Sequence, residues 1–332
     1  MYTGRDEWKV EYICYEQEHV DKVLEIIKTT FPQYFSDFLT TEAGEGITEQ
    51  DAKKIADSLS VEFNSQKKAI DKAKSYKNIL NQGLSDFEKD RKKYTDIFNE
   101  EAFEEYQDDP GTFKSKTLRD ECPIIKSTYY NRRAKVLDKY RFEFNVSDAN
   151  ELLTVVENLY DFAEDYITNI YDPDSYDSIK EYETLALCEL DSEEINTDYT
   201  VPGVIGGGIR SHMLYKIYPS VFPNRSAMAI WALWYLTDKK EFDCKMGSEF
   251  LMIDTKAITT QQNYFYPYRL FTFYAHQIFQ LLKAEAEKLS VYIDPEFRYV
   301  IVDSFLSFVA DCHVSDIELL TNQIRESDYG YM

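Results

Sequence analysis

Four of the chain's 11 glycines fall within the six positions from Gly203 to Gly208, in the run Val201-Pro202-Gly203-Val204-Ile205-Gly206-Gly207-Gly208-Ile209-Arg210-Ser211-His212. Glycines this dense, placed directly before an apolar helical run, can expose consecutive backbone N–H groups at a helix start, where a phosphate can be held. Arg210, Lys216 and Arg225 add cations, and no acid interrupts Val201 to Arg225. The phosphate-binding set expected from this pattern is Gly206, Gly207, Gly208, Arg210, Ser211, Lys216 and Arg225. The alternative is a glycine turn required only for close helix packing.

A second constellation follows. Phe250-Leu251-Met252-Ile253 leads into Asp254-Thr255-Lys256, and an apolar strand ending in acid-x-Lys resembles the active-site strand of the PD-(D/E)xK nucleases. That resemblance implies Mg²⁺ on Asp254, a water positioned by Lys256, and Asp243 or Glu249 as the further metal ligand. Short acid-x-Lys triplets also occur as surface turns in a chain with 29% charged residues. Gln261, Gln262, Asn263 and Tyr264 gather amides and an aromatic ring before a helix, a set that suits contact with a base or nucleotide, or simply the capping of that helix. His212 and His276 lie in apolar helical runs with no partner identifiable from spacing, which points to core or edge positions. Walker A, GxSxG, HExxH and dinucleotide-binding glycine motifs are absent from the sequence.

The segment 201–236 resembles the helix-hairpin-helix module of the DNA glycosylase superfamily. A glycine hairpin (VPGVIGGGIRS) leads to an apolar helix (HMLYKIYPS), then Phe222-Pro223 and a further helix (AMAIWALWYL). The resemblance implies a DNA phosphate on the hairpin amides, a contact that positions without reading sequence. Where that family carries its catalytic Asp, this chain has Asn224. An amide cannot supply the charge that stabilises a cationic transition state, so base excision is not expected.

Net charge is −23 over 332 residues, which argues against a generally basic nucleic-acid surface. Nine Lys and Arg against three acids make 114–141 a basic island, and 201–225 is a second. Both could equally be neutralised inside an acidic fold. Aromatic content is 15%, with 27 Tyr and 21 Phe, which suits a core and half-buried interface rings. The five cysteines show no CxxC spacing, so zinc and thioredoxin-type sites are not expected and reduced thiols are. No cofactor is expected, except Mg²⁺ on the nuclease reading. Met1 to Val10 lacks an apolar core, and the longest fully apolar run, Ala227 to Leu236, is half a membrane span. The expectation is a cytoplasmic protein with no membrane contact.

These groups must be carried by a mainly α fold with at most a few short strands. Trp8 to Ile13 reads as a strand or the first turns of a helix, and Val20 to Phe31 as an amphipathic helix. Thr48 and Asp51 form a capping-box-like start. A narrow coiled-coil-like seam then runs from Ile55 to Phe98, so about 49–106 is expected as one long helix or as a hairpin bent at Gly83. Its acidic end, Glu100 to Asp109, suits a protein partner or packing against its own domain equally well. Ser147 to Ile170, Pro267 through Leu282, and Pro295 to Val309 read as helices, and Ala227 to Leu236 as a buried one. The turn-rich Tyr171 to Ser178 divides an acidic helical region (1–175) from an apolar helical domain (176–332). The functional expectation is a nucleic-acid-associated protein holding DNA or another polyanion at the glycine hairpin. An acidic protein-interaction or DNA-mimic protein is the alternative, and an Mg²⁺-dependent nuclease a further one.

Overall fold

A computed structural model describes residues 13–40, 65–131, 137–179, 197–255, 260–263 and 266–328. The fold is mainly α. Helix α1 (Gln17–Thr40) buries Val20, Val23, Leu24, Ile27, Phe31, Phe35, Phe38 and Leu39, the three- and four-residue spacing of one helical face. Trp8 to Tyr12 and the expected start at Thr48 lie outside the described residues.

Helix α2 (Ser65–Ile97) has 33 residues, a rod of about 50 Å at 1.5 Å per residue. It runs unbroken through Gly83, the straight-helix alternative over these residues and not the hairpin. A Cβ on Gly83 would lie 2.6 Å from the Ser304 Oγ, so this glycine admits a neighbouring helix and does not break its own. The chain turns instead at Phe98-Asn99. There the Asn99 side chain accepts a hydrogen bond from the Ala102 N–H (3.0 Å) and starts α3 (Glu100–Asp108). Tyr76, Phe87, Tyr94 and Ile97 are buried in the core, so α2 is a structural member of the body.

A single helical turn at Pro110–Thr112 runs into a π-helical stretch, Phe113–Glu121. Helices α4 (Pro123–Tyr130), α5 (Leu137–Val146) and α6 (Ala149–Asn169) follow. Asp148 caps α6 by accepting from the Asn150 and Glu151 N–H groups. Tyr176, in the turn-rich segment expected to divide the chain, is buried, and its hydroxyl lies 2.7 Å from that of Tyr299. One hydrophobic cluster extends from Cys14 to Ile317.

Helix α7 (Gly207–Ile217) and helix α8 (Ala227–Leu236) follow the glycine hairpin. Helix α8 is apolar on every side and starts at Ser226, whose Oγ accepts from the Ala229 N–H at 3.1 Å. The apolar run at 250–253 contributes only its last residue to strand β1 (Ile253–Asp254), which pairs antiparallel with β2 (Gln261–Gln262). Helices α9 (Tyr268–Lys288, with Pro267 as its N-cap), α10 (Arg298–Asp311) and α11 (Val314–Asp328) complete the order. Helix α10 packs against α1, α2, α8 and α9, and its pairing with α8 is the most extensive in the fold. Within the described residues no helix is long and apolar enough to cross a membrane.

Candidate functional site

Val201 and Ile205 form an antiparallel bridge closed by a turn in which Gly203 has φ 75°. A side chain there would also meet Glu143 Cγ at 2.8 Å, so both conformation and space require glycine. Gly206 is the N-cap of α7 and supplies no side-chain cap. Gly206 and Gly208 are exposed. Gly207 is not an open cradle: a Cβ on it would lie 1.8 Å from Arg225 Nη2. The guanidinium lies against the bare α-carbon, and that contact is what Gly207 permits.

The cations expected beside these amides turn inward. Arg210, Ser211, Lys216 and Arg225 are 1%, 1%, 6% and 4% exposed. Arg210 Nη1 donates to the Tyr199 carbonyl (3.0 Å) and to Thr200 Oγ1 (2.7 Å). Arg225 Nη1 donates to the Tyr266 carbonyl, and its backbone N–H to Ser211 Oγ. Lys216 Nζ reaches Asp90 Oδ1 at 2.6 Å and the Phe87 carbonyl at 2.9 Å. The expected phosphate set therefore does not assemble on one surface. The physical reason is that α7 is packed on most of its circumference, so its polar side chains must find partners inside.

What these residues build is an internal polar cluster where α2, α7 and α10 meet. Asn224 Nδ2 donates to Asp303 Oδ1 at 2.9 Å. Thus a carboxylate from α10 stands beside the position where the resemblance places an Asp. Burial pushes the Asp303 carboxyl up to about 6, partly offset by Asn224, the Lys216 ammonium and the Tyr215 hydroxyl. Burial and the nearby Lys216 charge push His212 down to about 4, so it is neutral at pH 7. The cluster can share or hold a proton, and it ties three helices together. Asp303 escaped sequence reasoning, although it is the only acid between Arg298 and Ala310. A lone carboxylate in so apolar a helix was the available signal.

The nuclease set does not come together. Asp254 is 6% exposed and accepts a hydrogen bond from the Gly247 N–H at 2.7 Å. Among the described residues no group of three or more His, Cys, Asp or Glu side chains, Asp243 and Glu249 included, is placed to hold a metal ion. Lys256 lies outside them. The amides expected at a base are used on backbone: Gln262 Nε2 donates to the Ala227 carbonyl, and Asn263 Nδ2 to those of Ser248 and Glu249. The Gln261 side chain and Tyr264 are outside the described residues. In the basic island, Lys114 donates to the carbonyls of Asn145 and Ser147, Arg119 pairs with Asp120, and Arg141 pairs with Asp138. Arg132, Arg133 and Lys135 lie outside.

The acidic end of the 49–106 region is docked. Helix α3 lies on α6 through Phe103 and Tyr160 (ring centroids 5.4 Å apart) and through Gln107 Nε2 to Glu157 Oε1 at 2.7 Å. Glu101, Glu104, Glu105 and Asp108 are exposed on α3, and Asp161 and Asp165 on α6. Asp161, though exposed, is held above its ordinary carboxylate value by partial loss of solvent and by the charges of Glu100 and Glu164. No lysine or arginine of the described residues lies within ion-pair distance of Glu100, Glu104, Asp161 or Glu164. No family model, no curated protein and no solved structure matches the chain.

Proposed function

We propose that the protein is an acidic helical binding protein whose partner is a basic protein surface, received on the face made by α3 and α6. The observation that carries this reading is the crowding of Glu100, Asp161 and Glu164, uncompensated by any cation of the described residues, while Arg210, Lys216 and Arg225 are spent inside. Like charges held together cost stability unless a partner offsets them, and a focused field of one sign steers an oppositely charged partner. Replacing Glu100, Glu104 and Asp161 together by Lys tests it, with a salt series on a lysine-rich protein. The triple variant is expected to bind at least about tenfold more weakly at low salt, with a shallower salt dependence. Equal binding by variant and parent contradicts it.

A second reading is favoured by one observation, the uncapped and exposed start of α7 at Gly206 and Gly208. There the N–H groups of the first turn would hold a phosphate of DNA or another polyanion, without the three cations first expected to assist. Duplex binding at low salt that is lost on Gly208→Pro, with fold retained by circular dichroism, supports this reading. Duplex binding unchanged by that substitution removes it.

A further inference from the structure

We propose that Cys14 and Cys244 are an oxidation site that closes into an intramolecular disulfide, fastening the segment that leads into α1 to the 237–252 loop. The two sulfurs lie 3.6 Å apart across 230 positions of sequence, and both residues are buried, at 2% and 4% exposure. An approach of about 1.5 Å brings them to bonding distance. The loop is shaped to bring the second thiol inward: Asp238, Lys239, Phe242 and Asp243 all have φ between 49° and 60°. Such angles are uncommon for non-glycine residues, and here they immediately precede Cys244. Two ring contacts, Tyr15 on Phe250 (4.9 Å) and His19 on Phe242 (5.8 Å), pack the residues that follow Cys14 against loop residues before and after Cys244.

The oxidant is hydrogen peroxide or a low-molecular-weight disulfide. With peroxide, one Cys thiolate attacks an oxygen, the O–O bond breaks, and the departing hydroxide takes up the thiol proton as water, leaving a sulfenic acid. The second thiolate attacks that sulfur, the S–O bond breaks, and a second water leaves. Two thiols lose two electrons, and one peroxide becomes two waters. Burial makes the first step wait on a local opening of the 13–16 segment, whose Ile13 is 43% exposed.

The consequence lies beside the bond. A cleft of about 740 Å³ has α1 as one wall (Lys22, Glu25, Thr29) and the loop as the other (Lys240, Glu241, Asp243). The disulfide would tie the 13–16 segment that leads into the first wall to the loop that forms the second, so oxidation would restrain the cleft at that end. The test is peroxide treatment of the native full-length protein, followed by intact mass and a non-reducing peptide map. The expected result is a loss of about 2 Da and one linked peptide pair, 14 with 244. That pair is retained in Cys312→Ser and lost in Cys14→Ser, and protease cleavage within 237–252 slows by at least about fivefold. Linkage through any other cysteine, or stepwise over-oxidation of both thiols without linkage, overturns the site. Linkage with unchanged cleavage overturns the fastening.

Discussion

Alanine at Gly207 and at Gly208 will act in opposite directions on stability. At Gly207 the new Cβ arrives 1.8 Å from Arg225 Nη2 and 2.9 Å from its Cζ. Arg225 is 4% exposed and holds the Tyr266 carbonyl, so its guanidinium has no open route to solvent. Overpacking costs about 1–3 kcal/mol and the loss of a hydrogen bond from a charged donor about 1.5–3 kcal/mol. The better helix propensity of alanine returns about 1 kcal/mol, leaving a net loss of about 3 kcal/mol. At Gly208 the nearest atom to the new Cβ is the Arg225 carbonyl oxygen at 3.7 Å, an ordinary contact. Gly208→Ala should therefore gain up to about 1 kcal/mol. Urea unfolding followed by the fluorescence of the buried Trp231 and Trp234 measures both. If Gly207→Ala proves as stable as Gly208→Ala, the packing of Arg225 on the glycine turn is refuted.

Three further expectations concern the buried charges. Because the folded-state pKa of Asp303 is raised to about 6, its contribution is fully present below about pH 4 and is lost as pH rises through 6. Asp303→Asn should therefore gain about 1–2 kcal/mol over the parent at pH 8 and nothing at pH 4, a magnitude reduced for the residue's remaining exposure; an equal gain at both pH values argues against it. His276, fully buried and held near 4, stays neutral in the fold while the unfolded chain takes up a proton below about pH 6.5. Stability is lost as pH falls from there, and His276→Gln should flatten that loss by up to about 3 kcal/mol in urea titrations at pH 4–7. The side chain of Lys216 is 7% exposed and that of its partner Asp90 32%. Asp90→Asn, which strands the buried cation, should cost about 3 kcal/mol, and Lys216→Met, which leaves Asp90 to water, about 1 kcal/mol, as read by the same unfolding assay.

Local pattern carried much of the fold into view. The stripe Leu152, Val155, Val156 and Leu159 marked α6, the all-apolar run 227–236 marked a buried helix, and Pro267 marked the start of α9. What failed was whatever depended on a distant partner. Gly83 left a straight helix and a bend equally open, because the reason for the glycine, Ser304, comes from another helix. Arg210, Lys216 and Arg225 read as surface cations because charge is normally exterior. Asp90, which holds Lys216, stands 126 positions away. Asp303 beside Asn224, and Cys14 beside Cys244, are likewise products of chain crossing that no local spacing records. The candidate site was thus legible in its backbone turn and illegible in the direction of its side chains.

Fluorescence anisotropy decides between a basic protein and a nucleic acid as the partner of a chain of net charge −23 whose hairpin cations Arg210, Lys216 and Arg225 are buried. The native protein is titrated at low ionic strength into a labelled lysine-rich protein and, separately, into a labelled DNA duplex. The expected outcome is saturable binding to the lysine-rich protein that weakens steeply with added salt, and none to the duplex. Salt-sensitive binding to the duplex with no response from the basic protein contradicts it.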